Sequence, residues 1–180
     1  MILRLADPSD ADEIAVVGAL TVDAYLADGY LDGDVDGYAD HLRAAADRAR
    51  DAELAVAVDE GSGAVLGTVT YCRAGTPWAE VSGDGEAEFR MLAVAPAARG
   101  QGVGDALARW CIDRARADGC HAVALSTLPV MHAAHRIYQR LGFVRTPERD
   151  WCPEPGIQLI TYLLELRGGR ETERGRPGPG

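Results

Sequence analysis

Two residue types are missing from the sequence. No lysine and no asparagine occurs among its 180 residues, so all 18 basic side chains are arginines. Without lysine the chain cannot form a Schiff base with a carbonyl substrate, and it cannot supply the lysine of a P-loop. These absences exclude Schiff-base enzymes and P-loop nucleotide-binding proteins.

Positive charge is scarce overall, because 28 acidic residues leave a formal net charge of -10. A protein that binds nucleic acid needs a basic surface to neutralise phosphates, so we expect no nucleic-acid partner. An acidic surface can favour a cationic substrate, or it can simply keep the protein soluble. The composition leaves both interpretations open.

Long apolar runs are absent too. Nothing approaches the roughly 20 residues of a transmembrane helix, and the N-terminal residues lack the order of a signal peptide, so we expect a cytoplasmic protein with no membrane partner. The length predicts one domain over residues 1–166. Residues 167–180 are rich in glycine, proline and charge, and we expect them to be disordered. The oligomeric state stays open, a homodimer included.

Cysteine is sparse, and no pair of cysteines has the spacing of a metal or redox motif. The four thiols are at Cys72, Cys111, Cys120 and Cys152, and no histidine cluster completes a zinc site. We therefore predict reduced, mostly buried thiols and no metal.

Hydrophobic periodicity predicts an α/β protein with the order strand, two helices, three strands, helix, strand, helix and two strands. Strands are predicted at 2–6, in a hairpin over 53–73, and at 86–95, 121–127, 142–146 and 157–166; helices are predicted at 7–27, 35–50, 102–118 and 131–141. Ser9 and Asp12 resemble a capping box at the start of the first helix. The strand–helix–strand unit over 86–127 predicts a parallel crossover, and hence a mixed sheet of about seven strands with helices on both faces.

A glycine-rich turn joins a predicted strand to a predicted helix within "EFRMLAVAPAARGQGVGDALARW", residues 88–110. Such turns bind phosphate because backbone N–H groups and the helix dipole face the anion. The P-loop template needs a lysine, and the dinucleotide fingerprint needs glycine where Asp105 stands. The template that fits is Arg-x-x-Gly-x-Gly, at Arg99, Gly102 and Gly104, which binds the pyrophosphate of coenzyme A. A glycine-rich turn without a ligand is the alternative.

Two separate blocks of sequence resemble one known family. "MLAVAPAARGQGVGDAL" is similar to the central motif of the GNAT superfamily of N-acetyltransferases, and "AAHRIYQRLGFVRT" to a later motif of that family. The resemblance covers about residues 2–166. It implies the GNAT fold, in which the fourth strand splays from the fifth. It also implies an N-acetyltransferase that moves acetyl from acetyl-CoA to a primary amine.

The resemblance implies a set of coenzyme-binding residues on the strand and the turn. The strand residues would pair with the pantetheine arm, and an N–H near Leu92 would hold the thioester oxygen. The turn would hold the pyrophosphate. The set is Leu92, Ala93, Val94, Arg99, Gly100, Gln101, Gly102, Val103, Gly104 and Asp105.

The resemblance also implies two catalytic residues. Glu88 stands where histone-type members have a catalytic glutamate, and Tyr138 matches the tyrosine that protonates the coenzyme A thiolate. A strand period of two would put Glu88, Arg90 and Leu92 on one face, with Glu86 as a second possible base. Each assignment has a structural alternative: Glu88 as an exposed strand-end residue paired with Arg90, and Tyr138 as part of an apolar helix stripe.

One departure from the family and one open question remain. Many members have an asparagine where this chain has Met131, so that coenzyme contact is not expected here. The acceptor amine is not identified, and acidic and aromatic loop residues are the candidates for binding it: Asp28, Asp32, Asp34, Trp78, Glu148, Asp150 and Trp151. No cysteine has a recognisable base partner, so we expect direct attack without an acyl-enzyme. A coenzyme A-binding sensor without turnover is the second hypothesis.

Overall fold

Seven strands form one mixed sheet in the computed structural model, which describes residues 1–30 and 37–166. Their order across the sheet is β1-β2-β3-β4-β5-β7-β6, and β4–β5 is the one parallel pair among them. The predicted hairpin and the predicted parallel crossover are both confirmed. The strands are β1 (Ile2–Leu5), β2 (Glu53–Val58), β3 (Val65–Arg73), β4 (Glu86–Val94), β5 (Ala122–Thr127), β6 (Val144–Arg145) and β7 (Ile160–Glu165).

Helices cover both faces of the sheet, as predicted. The helices are α1 (Ala11–Ala27), α2 (Tyr38–Arg43), α3 (Ala45–Asp51), α4 (Val103–Ala117) and α5 (His132–Arg140). On one face, Leu107 and Cys111 of α4 pack against Phe89 and Val123 of the sheet. On the other face, Val17 of α1 and Ala45 of α3 pack with Val56 of β2. The alternation of side chains along each strand explains why both faces are apolar.

The N-cap of the first helix lies one residue later than predicted. Asp10, not Ser9, is the N-cap, and its side chain accepts hydrogen bonds from the N–H groups of Asp12 and Glu13. The Ser9 hydroxyl instead donates to Asp7. Aspartate and serine are equally good caps, so the sequence alone could not choose between them.

The helix predicted over 35–50 is wrong as a single element. Its described part divides at Ala44, where ψ is 49° and the helical path is interrupted between α2 and α3. The break leaves the Leu42 carbonyl available, and the fully buried Arg48 guanidinium donates to it at 2.8 Å. Arg48 also donates to the hydroxyls of Thr21 and Thr70. A buried cation needs such oxygens, and they come from three different elements.

Several other expectations can be compared with the described residues. All four cysteines are free thiols; Cys72 and Cys111 are buried, Cys120 is partly buried and Cys152 is exposed. Within residues 1–30 and 37–166, no helix combines the length and the apolar character needed to cross a bilayer. The predicted disorder of residues 167–180 falls outside the described part of the chain.

Candidate functional site

The parallel strands β4 and β5 pair only at their starts. The ladder joins Glu86, Ala87 and Glu88 of β4 to residues 122–124 of β5, and beyond Glu88 the two strands separate. This confirms the predicted splay. A cleft of about 440 Å³ opens where they part. Strand β4, the turn after it, the start of α4, and α5 all contribute to its walls, so the gap in the sheet is the candidate site.

A β-bulge interrupts β4 on its other edge, opposite β3. Thr70 pairs with Arg90 and Thr68 with Ala93, so Met91 and Leu92 together face one residue of β3. Met91 has φ of 51°, a left-handed conformation that non-glycine residues rarely adopt. Neither Met91 nor Leu92 has a register partner in β3 or β5. At Met91 and Leu92 the strand therefore lies outside the regular pairing on both of its edges.

Because of the bulge, the side chains of β4 are arranged differently from the prediction. Leu92 packs on the α4 face of the sheet, with Phe89. Met91 packs on the opposite face, against α1 and α2, where Arg90 also lies and donates to the Trp78 carbonyl. The expectation that Glu88, Arg90 and Leu92 share one face is wrong, because the extra residue of the bulge reverses the alternation after Arg90.

The glycine-rich turn contributes part of the cleft wall. Gly100 and Gly102 have φ of 77° and 81°, and a Cβ built on either would meet no atom within 4 Å. Gly102 caps α4, whose first intrahelical donor is the N–H of Ala106. The N–H groups of the preceding helical residues lack intrahelical acceptors and face outward with the positive end of the helix dipole. This geometry suits an anion.

Gly104 serves packing rather than backbone conformation. A Cβ at this position would lie 3.1 Å from Ile137 of α5 and 3.5 Å from Val94 of β4. The absence of a side chain therefore lets α4, α5 and β4 approach each other closely. Of the three glycines in the turn, Gly100 and Gly102 are needed for their positive φ, and Gly104 is needed for close packing.

Charged side chains at this end of the cleft are already paired with one another. Arg99 contacts both carboxylate oxygens of Asp28, at 2.8 and 3.1 Å. Asp105 lies between Arg140 of α5 and Arg109 of α4, at 2.7 and 2.6 Å. Hydrogen bonds from Arg140 and then Arg109 lower the pKa of Asp105 below its usual range. The two carboxylates keep three arginines beside the turn.

Tyr138 of α5 is the tyrosine that the sequence predicts as a proton donor. Its ring is buried edge-to-face against Phe89, with 5.8 Å between centroids, and the residue lines the cleft. Burial, above all, raises the pKa of the Tyr138 phenol well above its usual value. The phenol therefore remains protonated at neutral pH.

Comparison with known proteins identifies this arrangement. The family described as "Acetyltransferase (GNAT) family" matches residues 21–143. The chain belongs to the GNAT acetyltransferase family. The matched range contains β4, the glycine-rich turn, α4 and all of α5, so the cleft lies within the matched range.

Individual proteins match this chain either over a short range or at low sequence identity. N-acetylaspartate synthetase of Danio rerio is 38% identical over 74 residues, which are 41% of this chain and 26% of that protein. The match thus spans about a quarter of that curated relative. The structure of yncA from Salmonella typhimurium with acetyl-CoA has TM-score 0.62 and 26% identity, covering 98% of this chain and 97% of that one.

Other solved structures support the fold alone. A GNAT-family acetyltransferase of Staphylococcus aureus has TM-score 0.70 at 12% identity, covering 92% of this chain and 99% of that one. A ribosomal-protein-alanine N-acetyltransferase of Brucella melitensis has TM-score 0.64 at 21% identity, covering 92% and 100%. These similarities support the GNAT fold described above.

Most of the residues suggested by sequence meet in the cleft of this GNAT domain. The residues from that prediction that line it are Leu92, Ala93, Val94, Arg99, Gly100, Gly102, Val103, Gly104, Asp105 and Tyr138. Gln101 is not among the lining residues, and its amide donates to the Ala97 carbonyl at 3.2 Å. Met131 does line the cleft, and its sulfur accepts a hydrogen bond from Thr127.

Glu88, which the sequence predicts as a base, is not among the residues that line the cleft. Its side chain is fully buried, and its Oε2 accepts four hydrogen bonds from residues 80–82. Its Oε1 is buried without a hydrogen-bond partner among the described residues, and the nearest cation is the Arg90 Nε at 3.9 Å. The structure therefore gives Glu88 an anchoring role in the loop between β3 and β4.

The predicted acceptor residues are dispersed. Asp28 lines the cleft but pairs with Arg99, and Asp150 pairs with Arg145 at 2.7 Å. Trp78 is buried, with the His41 ring stacked on it at 5.0 Å. Asp32 and Asp34 lie outside the described residues, and Glu148 and Trp151 do not line the cleft.

Aromatic residues that the sequence analysis missed connect the cleft with Trp78. Tyr25 and Tyr30 line the cleft, and Tyr25 is 6.3 Å from Tyr38, which is 5.9 Å from His41. They were missed because α1 and α2 converge only in the folded chain. The rings therefore form a continuous aromatic row from the cleft to Trp78 along α1 and α2.

The Asp28–Arg99 pair leads to a prediction about coenzyme affinity. Replacing Asp28 by asparagine should lower the Kd for acetyl-CoA by up to about fivefold, because Arg99 no longer shares its charge with a carboxylate. Isothermal titration calorimetry at low salt measures the change. Asp23→Asn, an exposed change on the same helix, makes the same change in net charge and should leave Kd unaltered. Weaker binding by Asp28→Asn would show that the pair holds Arg99 in its binding position.

Proposed function

We propose that this chain transfers the acetyl group of acetyl-CoA to a primary amine by direct nucleophilic attack. The observation that carries the proposal is a single cleft that joins an anion-binding helix start to a buried phenol through an unpaired stretch of strand. Family membership supports acetyl transfer, and yncA was solved with acetyl-CoA. Each end of the cleft suits one chemical part of that cosubstrate.

The coenzyme would lie along the wall formed by β4 and α4. Its pyrophosphate would accept hydrogen bonds from N–H groups of Val103 to Asp105, with Gly100 and Gly102 leaving room for close approach. Its pantetheine arm would pair with the main chain of β4 after Glu88, where β5 has departed. These contacts place the thioester near the bulge.

The chemistry follows from this placement. A neutral amine attacks the thioester carbonyl carbon, and the N–H of Leu92 would stabilise the negative charge that develops on its oxygen. The carbon–sulfur bond then breaks, and Tyr138 would give its proton to the departing thiolate. Among the described residues no cysteine lines the cleft, and the proposed attack needs no acyl-enzyme on a thiol.

An acceptor panel tests the proposal. Wild-type protein and acetyl-CoA are incubated with aspartate, an alanine-starting peptide, an aminoglycoside and a polyamine, and release of free thiol is followed with a colorimetric thiol reagent. The first three represent the acceptors in the names of N-acetylaspartate synthetase, the Brucella enzyme and an aminoglycoside 6'-acetyltransferase of similar fold. We expect one amine to give acetylated product by mass spectrometry. Tight binding of acetyl-CoA with no thiol release for any amine would favour the second hypothesis, a coenzyme A-binding sensor without turnover.

A further inference from the structure

The loop between β3 and β4 is held by two side chains of β4. Glu88 Oε2 accepts hydrogen bonds from the N–H groups of Glu80, Val81 and Ser82 at 2.9, 2.9 and 3.0 Å, and from the Ser82 hydroxyl at 3.1 Å. Arg90 donates to the carbonyl of Trp78 at 3.0 Å. The segment 78–82 is therefore fixed relative to the strand that borders the cleft.

This fixed segment carries a second carboxylate, that of Glu80, which does not line the cleft itself but pairs with a residue that does. Glu80 Oε2 lies 2.7 Å from the Arg90 guanidinium, and Arg90 lines the cleft. The Glu80 side chain keeps 29% of its exposure, whereas that of Glu88 keeps none. Of the two carboxylates around Arg90, only Glu80 can exchange a proton with water.

We propose that Glu80, rather than Glu88, is the carboxylate that takes the proton of the acceptor ammonium, through one water molecule at the Arg90 edge of the cleft. Glu88 and Arg90 are then positioning residues, the first holding the Glu80 backbone and the second its side chain. This inference rests on the proposed acetyl transfer and adds a residue to it.

The surroundings of Glu80 suit a base. Arg90 and Glu88 of β4, Cys72 of β3 and Tyr38 of α2 are the described titratable groups whose charges couple to it. Burial raises the pKa of Glu80, the Arg90 charge opposes that rise, and repulsion from Glu88 adds to it. The pKa of Glu80 is raised overall. The difference between its pKa and that of an alkylammonium is therefore smaller, and Glu80 is a better proton acceptor than an ordinary glutamate.

The protons balance in this scheme. The ammonium gives one proton through the water to Glu80, and the neutral amine forms its bond to the carbonyl carbon. When the carbon–sulfur bond breaks, the thiolate takes the Tyr138 proton, and the second nitrogen proton is lost as the amide forms, restoring Tyr138 through water. Glu80 returns its proton to solvent, so each turnover yields amide, thiol and one proton.

Glutamate-to-glutamine variants separate the two carboxylates. The acceptor is the most active amine of the panel, and kcat/KM is measured from pH 6 to pH 9. At pH 7, Glu80→Gln should lower kcat/KM by about 10²-fold. Its rate should then rise about tenfold per pH unit, because only amine already neutral in solution can react. Its Kd for acetyl-CoA and its Tm should match those of the wild type.

The other variants provide the controls. Glu88→Gln should lower Tm and raise KM while keeping the pH profile of the wild type, because the loop loosens but the base remains. Glu165→Gln, an exposed change on β7, should match the wild type throughout. The proposal is overturned if Glu80→Gln keeps the wild-type profile, or if Glu88→Gln alone acquires the steep one. A wild type that releases no thiol overturns the proposed function as well.

Discussion

Replacing Tyr138 by phenylalanine is expected to lower the rate of thiol release by about 10²- to 10³-fold. The phenol is the one proton donor that α5 brings to the cleft wall beside Phe89, and its burial keeps it protonated. Without it, the thiolate must leave unprotonated or wait for water. Single-turnover thiol release with saturating acetyl-CoA measures the effect, and the Kd for acetyl-CoA should stay within about twofold because the ring remains.

A matched control is available next to this residue. Tyr162 of β7 is also buried, with its ring centroid 6.2 Å from that of Tyr138, but it does not line the cleft. Tyr162→Phe removes the same atom from the same aromatic cluster and should leave kcat unchanged. If Tyr138→Phe keeps more than a third of the wild-type rate, Tyr138 packs in the cluster and donates no proton.

Replacing Gly102 by glutamate should abolish measurable binding of acetyl-CoA, a loss of at least about 100-fold in affinity. At φ of 81° a side chain strains the backbone, and here its Cβ would project into the open space before α4. The new carboxylate would then occupy the position of an anion at the helix start and repel the pyrophosphate. Calorimetric titration with acetyl-CoA and with coenzyme A measures the loss.

Gly119 separates backbone strain from loss of the anion site. It lies just after the other end of α4, with φ of 73° and open space around an added Cβ. Gly119→Glu therefore adds the same strain and the same charge at the opposite end of the helix. It should lower Tm as much as the Gly102 variant does, yet keep acetyl-CoA affinity. Unchanged affinity in Gly102→Glu would mean that the turn does not hold the coenzyme.

The fold could be predicted from local patterns because each element has its own periodicity. The hairpin, the parallel crossover and the seven strands all follow from alternation, helical spacing and glycine punctuation. The helix break at Ala44 could not be predicted in this way. It depends on Arg48 reaching the Leu42 carbonyl and two threonine hydroxyls from other elements, and those contacts exist only after folding.

The same difference between local patterns and long-range contacts applies to the candidate site. The proposed coenzyme side lies within one continuous segment, so a motif could predict almost all of its residues. The proposed acceptor side is assembled from α1, α2 and the β3–β4 loop, and its contacts could not be found by spacing. Sequence placed Glu88 on the strand beside the cleft, but only the structure shows that its carboxylate faces the N–H groups of residues 80–82.

The bulge at Met91 and Leu92 shows that sheet stability and activity require different chain lengths in β4. A strand shorter by one residue would still place Leu92 and Val94 against α4, and it would restore an unbroken ladder with β3. All its main-chain groups on that edge would then be satisfied within the sheet. The extra residue therefore interrupts the ladder locally, and in the proposed function the peptide groups at this interruption bind the cosubstrate. The number of residues in β4, rather than their identity, would then matter for function at this place.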